Sequence, residues 1–465
     1  MKKIAGVAAW VVIWGLAFSA AAQEKGETVK ETLKMMYTEQ SGYAPEELQK
    51  LRAMFQELTG ITVNLEYVKY DSQYEKIAAA AAVYDVLTLD QIWVADLAAK
   101  ALLAPLEGYV TKKMSQDVTP AALKAFQYQK QTWAFPFLVN FQLFFYNEKM
   151  LKAAGFEAPP QTLDALLAQM KALKQKELVE YPWTASWAQA ESLLCDYVWL
   201  TGAYGGEIFD SAGNPTFDQK PGLMALAFML KLLTEEFASP TILTKDELAV
   251  KDDMLNGRAA FSSNWLFQAG FFDNPGVPEP EESPEPEVIE SAPAKPEAGP
   301  AAPAKAQPTP TPAKPEPPIT KQVKVALLPA SGTPKTASVS AFQGLAIPDA
   351  SKKKDAAWKW IKFLTSPLVQ RAYRFEMPIW TSVQASLEAT QLDPLMAVKK
   401  EQLTNVHHRP NLPNYAAVSL ILQKYLHLAL EGEMEPRAAL TQAKTEITAP
   451  IAETPTPTPK EPEKK

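Results

Sequence analysis

The stretch "VYDVLTLDQIWVADLAAKALLAPL", Val83 to Leu106, changes character partway along. Val86-Leu87-Thr88-Leu89 is the short apolar run of a buried strand, and the residues beyond Trp93 turn helical. Between the two stand Asp90, Gln91 and Trp93: a carboxylate, an amide and an indole at the end of a strand. Upstream, Leu33 to Tyr37 reads as a first strand. Pro45 to Leu58 reads as an amphipathic helix, with Pro45 in its first turn and Leu48, Leu51, Phe55 and Leu58 near one face. Gly60 closes it, and Ile61, Val63, Leu65 and Tyr67 then alternate as in a half-buried strand. Tyr70 to Ala82 is helical again. Strand, helix, strand, helix, strand is the doubly wound α/β order, which predicts a mostly parallel sheet flanked by helices. Such sheets bind ligands beyond the carboxyl ends of their strands. Asp90 is therefore read in two ways, as a ligand contact or as the cap of the helix that follows.

Bulk composition narrows the classes. The chain has 465 residues, 47% hydrophobic and 21% charged, with a net charge of -7. That length suits two domain-sized cores. An acidic balance without a basic stripe argues against nucleic acid as a partner. Met1-Lys2-Lys3, the apolar stretch Ile4–Phe18 and Ala20-Ala21-Ala22 form the three parts of an export signal, with cleavage expected after Ala22. The apolar stretch is shorter than the roughly 20 residues of a spanning helix. Cys195 is the single cysteine, so no intramolecular disulfide and no lipid-anchoring cysteine after the signal are expected. From Pro275 to Pro318 the sequence holds 15 prolines in 44 residues, among Ala, Glu and Lys. That composition predicts an extended, polyproline-like segment outside any core, and Thr448–Lys465 repeats it.

Six blocks carry a family resemblance: "FQELTGITVNLEYV" (Phe55–Val68), "YDVLTLDQIWVADLAAKALLAPLEGYV" (Tyr84–Val110), "AFPFLVNFQLFFYNEKMLKAAGF" (Ala134–Phe156), "MLNGRAAFSSNW" (Met254–Trp265), "FQGLAIPDASKKKDAAWKWIKFLTSP" (Phe342–Pro367) and "RPNLPNYAAVSLILQKYLHLALEGEMEPRAAL" (Arg409–Leu440). In that order they resemble the family 1 extracellular solute-binding proteins, the maltose/trehalose-binding-protein-like sugar receptors of bacterial ABC importers. The resemblance implies a type II-like periplasmic-binding-protein fold, with two α/β lobes joined by a hinge and closing on a ligand. It implies crossings near Phe135–Asn140, Ser262–Trp265 and Phe342–Pro348. After the signal, residues 23–137 and 264–345 would form the first lobe and 138–263 and 346–447 the second, with 448–465 as a tail. The proline-rich insert 275–320 would then sit in a loop of the first lobe, and Val323–Leu328 would return to that lobe as a strand.

A sugar site needs carboxylates, amides and arginine for the hydroxyls and aromatic planes for the C–H faces. The candidates are Glu39, Gln40, Asp90, Asn140, Trp187, Trp265, Gln343 and Arg409, with Asp90, Trp265 and Arg409 best supported by the resemblance. Trp380 stands where the family often carries arginine, which puts transfer of a particular sugar in doubt. The implied partners are a small-molecule carbohydrate and an inner-membrane ABC permease, for a monomeric periplasmic protein without enzymatic activity. No cofactor is called for. The adjacent His407 and His408 should diverge, so no metal site is expected. A glycosidase would need two carboxylates facing one bond. A receptor for a polyamine, peptide or organic acid would show extra acids, or extra bases, around Asp90.

Overall fold

The computed structural model describes residues 31–39, 42–273, 322–372 and 376–449. The export signal, Gln40, the whole of the proline-rich insert 275–320 and most of the tail lie outside these residues.

The opening pattern folds as read. Strand β1 (Thr32–Thr38), helix α1 (Pro45–Thr59), strand β2 (Thr62–Val68), helix α2 (Tyr70–Ala80) and strand β3 (Val86–Asp90) follow one another. Leu48 and Phe55 are the buried residues of α1, and Gly60 ends it in the left-handed region at φ 73°, where a side chain would be strained. Phe55 meets Trp360 of a later helix with ring centroids 4.9 Å apart.

Five strands build the first sheet, in the order β2-β1-β3-β10-β4, where β4 is Phe135–Leu138 and β10 is Gln343–Ala346. The second sheet contains β5 (Gln142–Asn147), β6 (Trp183–Thr184), β7 (Phe261–Trp265) and β8 (Val323–Ala326), in the order β8-β5-β7-β6. Short strands β9 (Ser338–Val339) and β11 (Val406–His407) pair in parallel. The second lobe carries helices α3 (Glu191–Ala203), α4 (Lys220–Thr234), α5 (Glu247–Leu255), α7 (Tyr415–Leu430) and α8 (Pro436–Thr448). Helix α6 (Lys354–Leu364) packs on α1 in the first.

The two-lobed α/β fold matches the expectation, while the pairing inside each sheet is mixed. Within the first sheet β1 lies parallel to β2 and β3, but β10 is antiparallel to β3 and β4. In the second sheet β6 and β7 are parallel and β5 is antiparallel to both β7 and β8. The cause is the entry point. Strands linked by local helices return in one direction, whereas a strand entering from the other lobe starts at the edge where its neighbours end.

The domain boundaries expected from sequence need three corrections, the last of them to the assignment of 346–447 to the second lobe. Val323–Ala326 pairs with β5, so the strand after the insert belongs to the second lobe, and the insert springs from that lobe. Ser262–Trp265 is likewise no crossing, because β7 runs inside the second sheet. The chain instead crosses between Leu138 and Gln142, between Val339 and Gln343, and a third time around Val406–Tyr415. Residues after Ala346 first build on lobe one, where Thr119 N–H donates to the Ile379 carbonyl and Trp380 packs on Phe135. They reach the second lobe with α7 and α8. A short strand's period does not say which sheet edge will take it, so the sequence of Val323–Ala326 does not reveal its pairing with β5.

Candidate functional site

Asp90 is the last residue of β3, and Gln343 opposes it as the first residue of β10. The site grows from there. Asp90 Oδ1 accepts from Ile92 N at 3.2 Å, capping the short turn Gln91–Trp93, so the cap reading is correct as far as it goes. The same carboxylate also receives Arg409 Nη2 at 3.0 Å on Oδ1 and 2.8 Å on Oδ2, and the Tyr70 hydroxyl at 2.8 Å on Oδ2. Arg409 Nη1 donates to Glu191 Oε1 at 2.9 Å. Glu191 opens α3 and is held in turn by the Tyr415 and Ser419 hydroxyls from α7. Asp90 and Arg409 are each 3% exposed. A chain of three charged groups thus runs from lobe one, through the third crossing, into lobe two.

Aromatic planes flank the chain. Tyr70 and Trp93 lie with centroids 5.2 Å apart and planes at 31°, and Tyr74 meets the same indole at 5.9 Å. Trp265 ends β7 on the hinge side, and its Nε1 donates to Glu247 Oε1 at 3.3 Å. Burial pushes the Glu247 carboxyl up, and the charges of Asp246 and of Asp71 on α2 push the same way.

The hinge is stitched by hydrogen bonds among the three crossings. Ala341 N donates to the Asn140 carbonyl and Ser340 N to the His407 carbonyl. Gln91 Nε2 donates to Ser340 Oγ at 2.8 Å, which also meets His408 Nδ1 at 2.7 Å. Burial holds the His408 imidazole down to about 4. His407 turns instead to Glu207, 2.7 Å away, so the two histidines diverge. Among the described residues no group of three or more His, Cys, Asp or Glu side chains is placed to hold a metal ion.

The sequence candidates therefore separate. Asp90 and Arg409 touch, Gln343 sits across from Asp90, and Trp265 stands at the hinge-side end of the other sheet. Asn140 lies in the first crossing, with its Oδ1 buried and without a partner among the described residues. Trp187 is elsewhere: fully buried in lobe two, its indole donates to Asp196 at 2.8 Å. Glu39 is exposed at the end of β1, and its backbone N–H donates to Val68. Gln40 lies outside the described residues. Tyr70, Glu191, Tyr415 and Glu247 were missed. Glu191 carried one faint signal, an acid heading a largely apolar helix, which reads first as a charge on the helix dipole. An open hollow of about 380 Å³ on lobe two, lined by Lys174, Glu177, Val179, Glu180, Tyr181 and Glu236, contains none of these groups. Convergent chemistry, rather than that hollow, marks the site.

The family model described as "Bacterial extracellular solute-binding protein" matches residues 37–371. A protein of Brucella abortus (strain 2308), named as a binding protein with no ligand given, is 23% identical over 458 residues, 96% of this chain and 98% of its own. A Sinorhizobium fredii protein named as an amino-acid ABC transporter periplasmic-binding protein is 25% identical over 285 residues, 58% of this chain and 65% of its own. Among solved structures, maltose-bound MalE3 of T. maritima superposes with a TM-score of 0.74 at 23% identity, covering 90% of this chain and 98% of that one. Chain-wide match and shared two-lobed architecture lead to one conclusion: this chain belongs to the bacterial extracellular solute-binding protein family, as the substrate-binding protein of an ABC transporter.

Proposed function

We propose that the protein captures a carbohydrate, from a monosaccharide to an oligosaccharide, between its two lobes and delivers it to a membrane permease. The observation that carries this reading is the tilted Tyr70–Trp93 pair beside Asp90 and Arg409, an aromatic wall next to charged hydrogen-bonding groups. Trp265, Gln343 and Asn140 complete a set suited to ring faces and hydroxyls. The maltose-bound neighbour supports the same class. The protein acts as a periplasmic monomer that binds without turnover, exported by its N-terminal signal and beginning at Gln23 after cleavage, as the mass of the mature chain would show.

The amino-acid-named relative favours a second reading, a charged non-sugar solute, as do Glu191, Glu247 and Asp71 along the same line between the lobes. One experiment separates them: thermal melts against mono-, di- and oligosaccharides, amino acids and polyamines. A true ligand at about 100 times its dissociation constant adds about 2.7 kcal/mol of stability. Stabilisation by saccharides alone upholds the proposal. A shift with amino acids or polyamines and none with any saccharide overturns it.

A further inference from the structure

We propose that Arg409 is a latch between the lobes and that Glu191 is the positioning residue that sets it from lobe two. The proposal rests on the cleft placement given above, but its test needs no ligand. An ionised carboxylate offers about four acceptor sites. On Asp90 all four are taken: Oδ1 by Arg409 and Ile92 N, Oδ2 by Arg409 and Tyr70. A ligand hydroxyl that donates to Asp90 must therefore displace a protein donor. The donor most able to leave is Arg409, because it sits on a crossing segment and its other terminal nitrogen already has a second carboxylate, Glu191 at 2.9 Å.

The two carboxylates belong to different lobes. Asp90 ends a strand of the first sheet, and Glu191 heads α3 in the second lobe, fastened there by Tyr415 and Ser419 of α7. Opening the lobes requires the guanidinium to leave one of them. With Arg409 between the two carboxylates, the chain's own arginine thus fills the acceptors that a ligand would use, and the same ion chain bridges the lobes. Glu191 acts on this balance only through Arg409. An arginine is suited to the task, since its planar fork can face two carboxylates at once.

The test measures the distance between lobes in the ligand-free full chain. Exposed Leu58 on α1 and Met224 on α4 are replaced by cysteine and spin-labelled, and Cys195 is buried and does not compete. Glu191→Gln keeps the shape of the side chain and removes its charge. The closed-to-open ratio is expected to fall roughly tenfold or more, the effect of losing one charge-assisted hydrogen bond. Glu191→Asp should restore part of the closed population. A folded E191Q chain with the wild-type distance distribution overturns the latch. Should E191Q not fold, the double variant Tyr415→Phe with Ser419→Ala, which leaves the carboxylate but removes its two hydroxyl donors, must show the opening. If that variant is folded and stays closed, the latch is overturned as well. A thermal panel in which no saccharide binds would defeat the carbohydrate reading while leaving the distance change intact.

Discussion

At the scale of single residues, Asp90 has the cap role that the sequence offers as one of its readings and a second role that the sequence does not offer. It caps the turn after β3 and neutralises a buried guanidinium. Removing one partner of a buried ion pair costs about 3–5 kcal/mol, because the other charge stays behind. Asp90→Ala should therefore lose that much unfolding free energy in urea, well beyond the roughly 1 kcal/mol of a lost cap. A loss near 1 kcal/mol would show that water reaches Arg409 as soon as its partner is gone. Glu376 is the opposite case: 2% exposed, with neither carboxyl oxygen partnered among the described residues. Burial pushes its carboxyl up to about 8, against a smaller opposing effect of Lys399. The native chain holds this proton while the unfolded chain releases it near pH 4.5. Stability from the group is thus complete below that pH and is lost as pH rises through about 8. Glu376→Gln keeps the shape without the titration. Its urea midpoint should exceed the wild-type value by a margin that widens between about pH 5 and about pH 8, and a margin independent of pH would contradict the argument.

At the scale of elements, helix α3 shows how packing places the site. Gly202, on the last turn of α3, allows the third crossing to lie against the helix. A Cβ there would come within 2.3 Å of the His407 ring. His407 stands two residues before Arg409, so Gly202→Ala should push the whole segment. Overpacking of this kind costs about 1–3 kcal/mol. A calorimetric melt should record that loss, together with a weaker interlobe latch. Unchanged stability would mean that the imidazole swings aside freely. The same helix marks where the sequence was legible. β1, α1, β2, α2 and β3 could be read because periodicity, Pro45 and Gly60 all point the same way over consecutive residues. Asp90 could be placed at a strand end for the same reason, whereas Trp265 was expected in a crossing and instead ends β7. Glu191 could not, because its meaning depends on Arg409, 218 residues away. Trp187 misled for a related reason: its indole satisfies Asp196, whose carboxyl burial raises to about 6, and a buried polar pair inside one lobe looks in sequence like a ligand contact.

At the scale of the whole molecule, the insert matters for where it leaves the fold. Its flanks are the helix Ala269–Asp273 and β8, which pack on each other in the second lobe, and β8 is one of the two edge strands of that sheet. An edge strand is held by one neighbour alone, so β8 depends on its register with β5, Val323 opposite Asn147 through Ala326 opposite Phe144. The chain between the flanks adds only the entropy of closing a loop, if it behaves as its proline-rich composition predicts. That cost changes by about 0.6 kcal/mol for each doubling of length. Replacing residues 274–321 by a Gly-Ser loop of a quarter the length should raise stability by about 1.2 kcal/mol, with the thermal shift expected of the proposed saccharide ligand unchanged. Because the insert belongs to lobe two, any effect should appear in the melting of that lobe and spare the Phe55–Trp360 core of lobe one. Calorimetry on the shortened chain, with and without saccharide, makes the comparison. A drop in stability, or a thermal shift that disappears, would show that the insert packs on the lobe or reaches the cleft, and the loop argument would then fail.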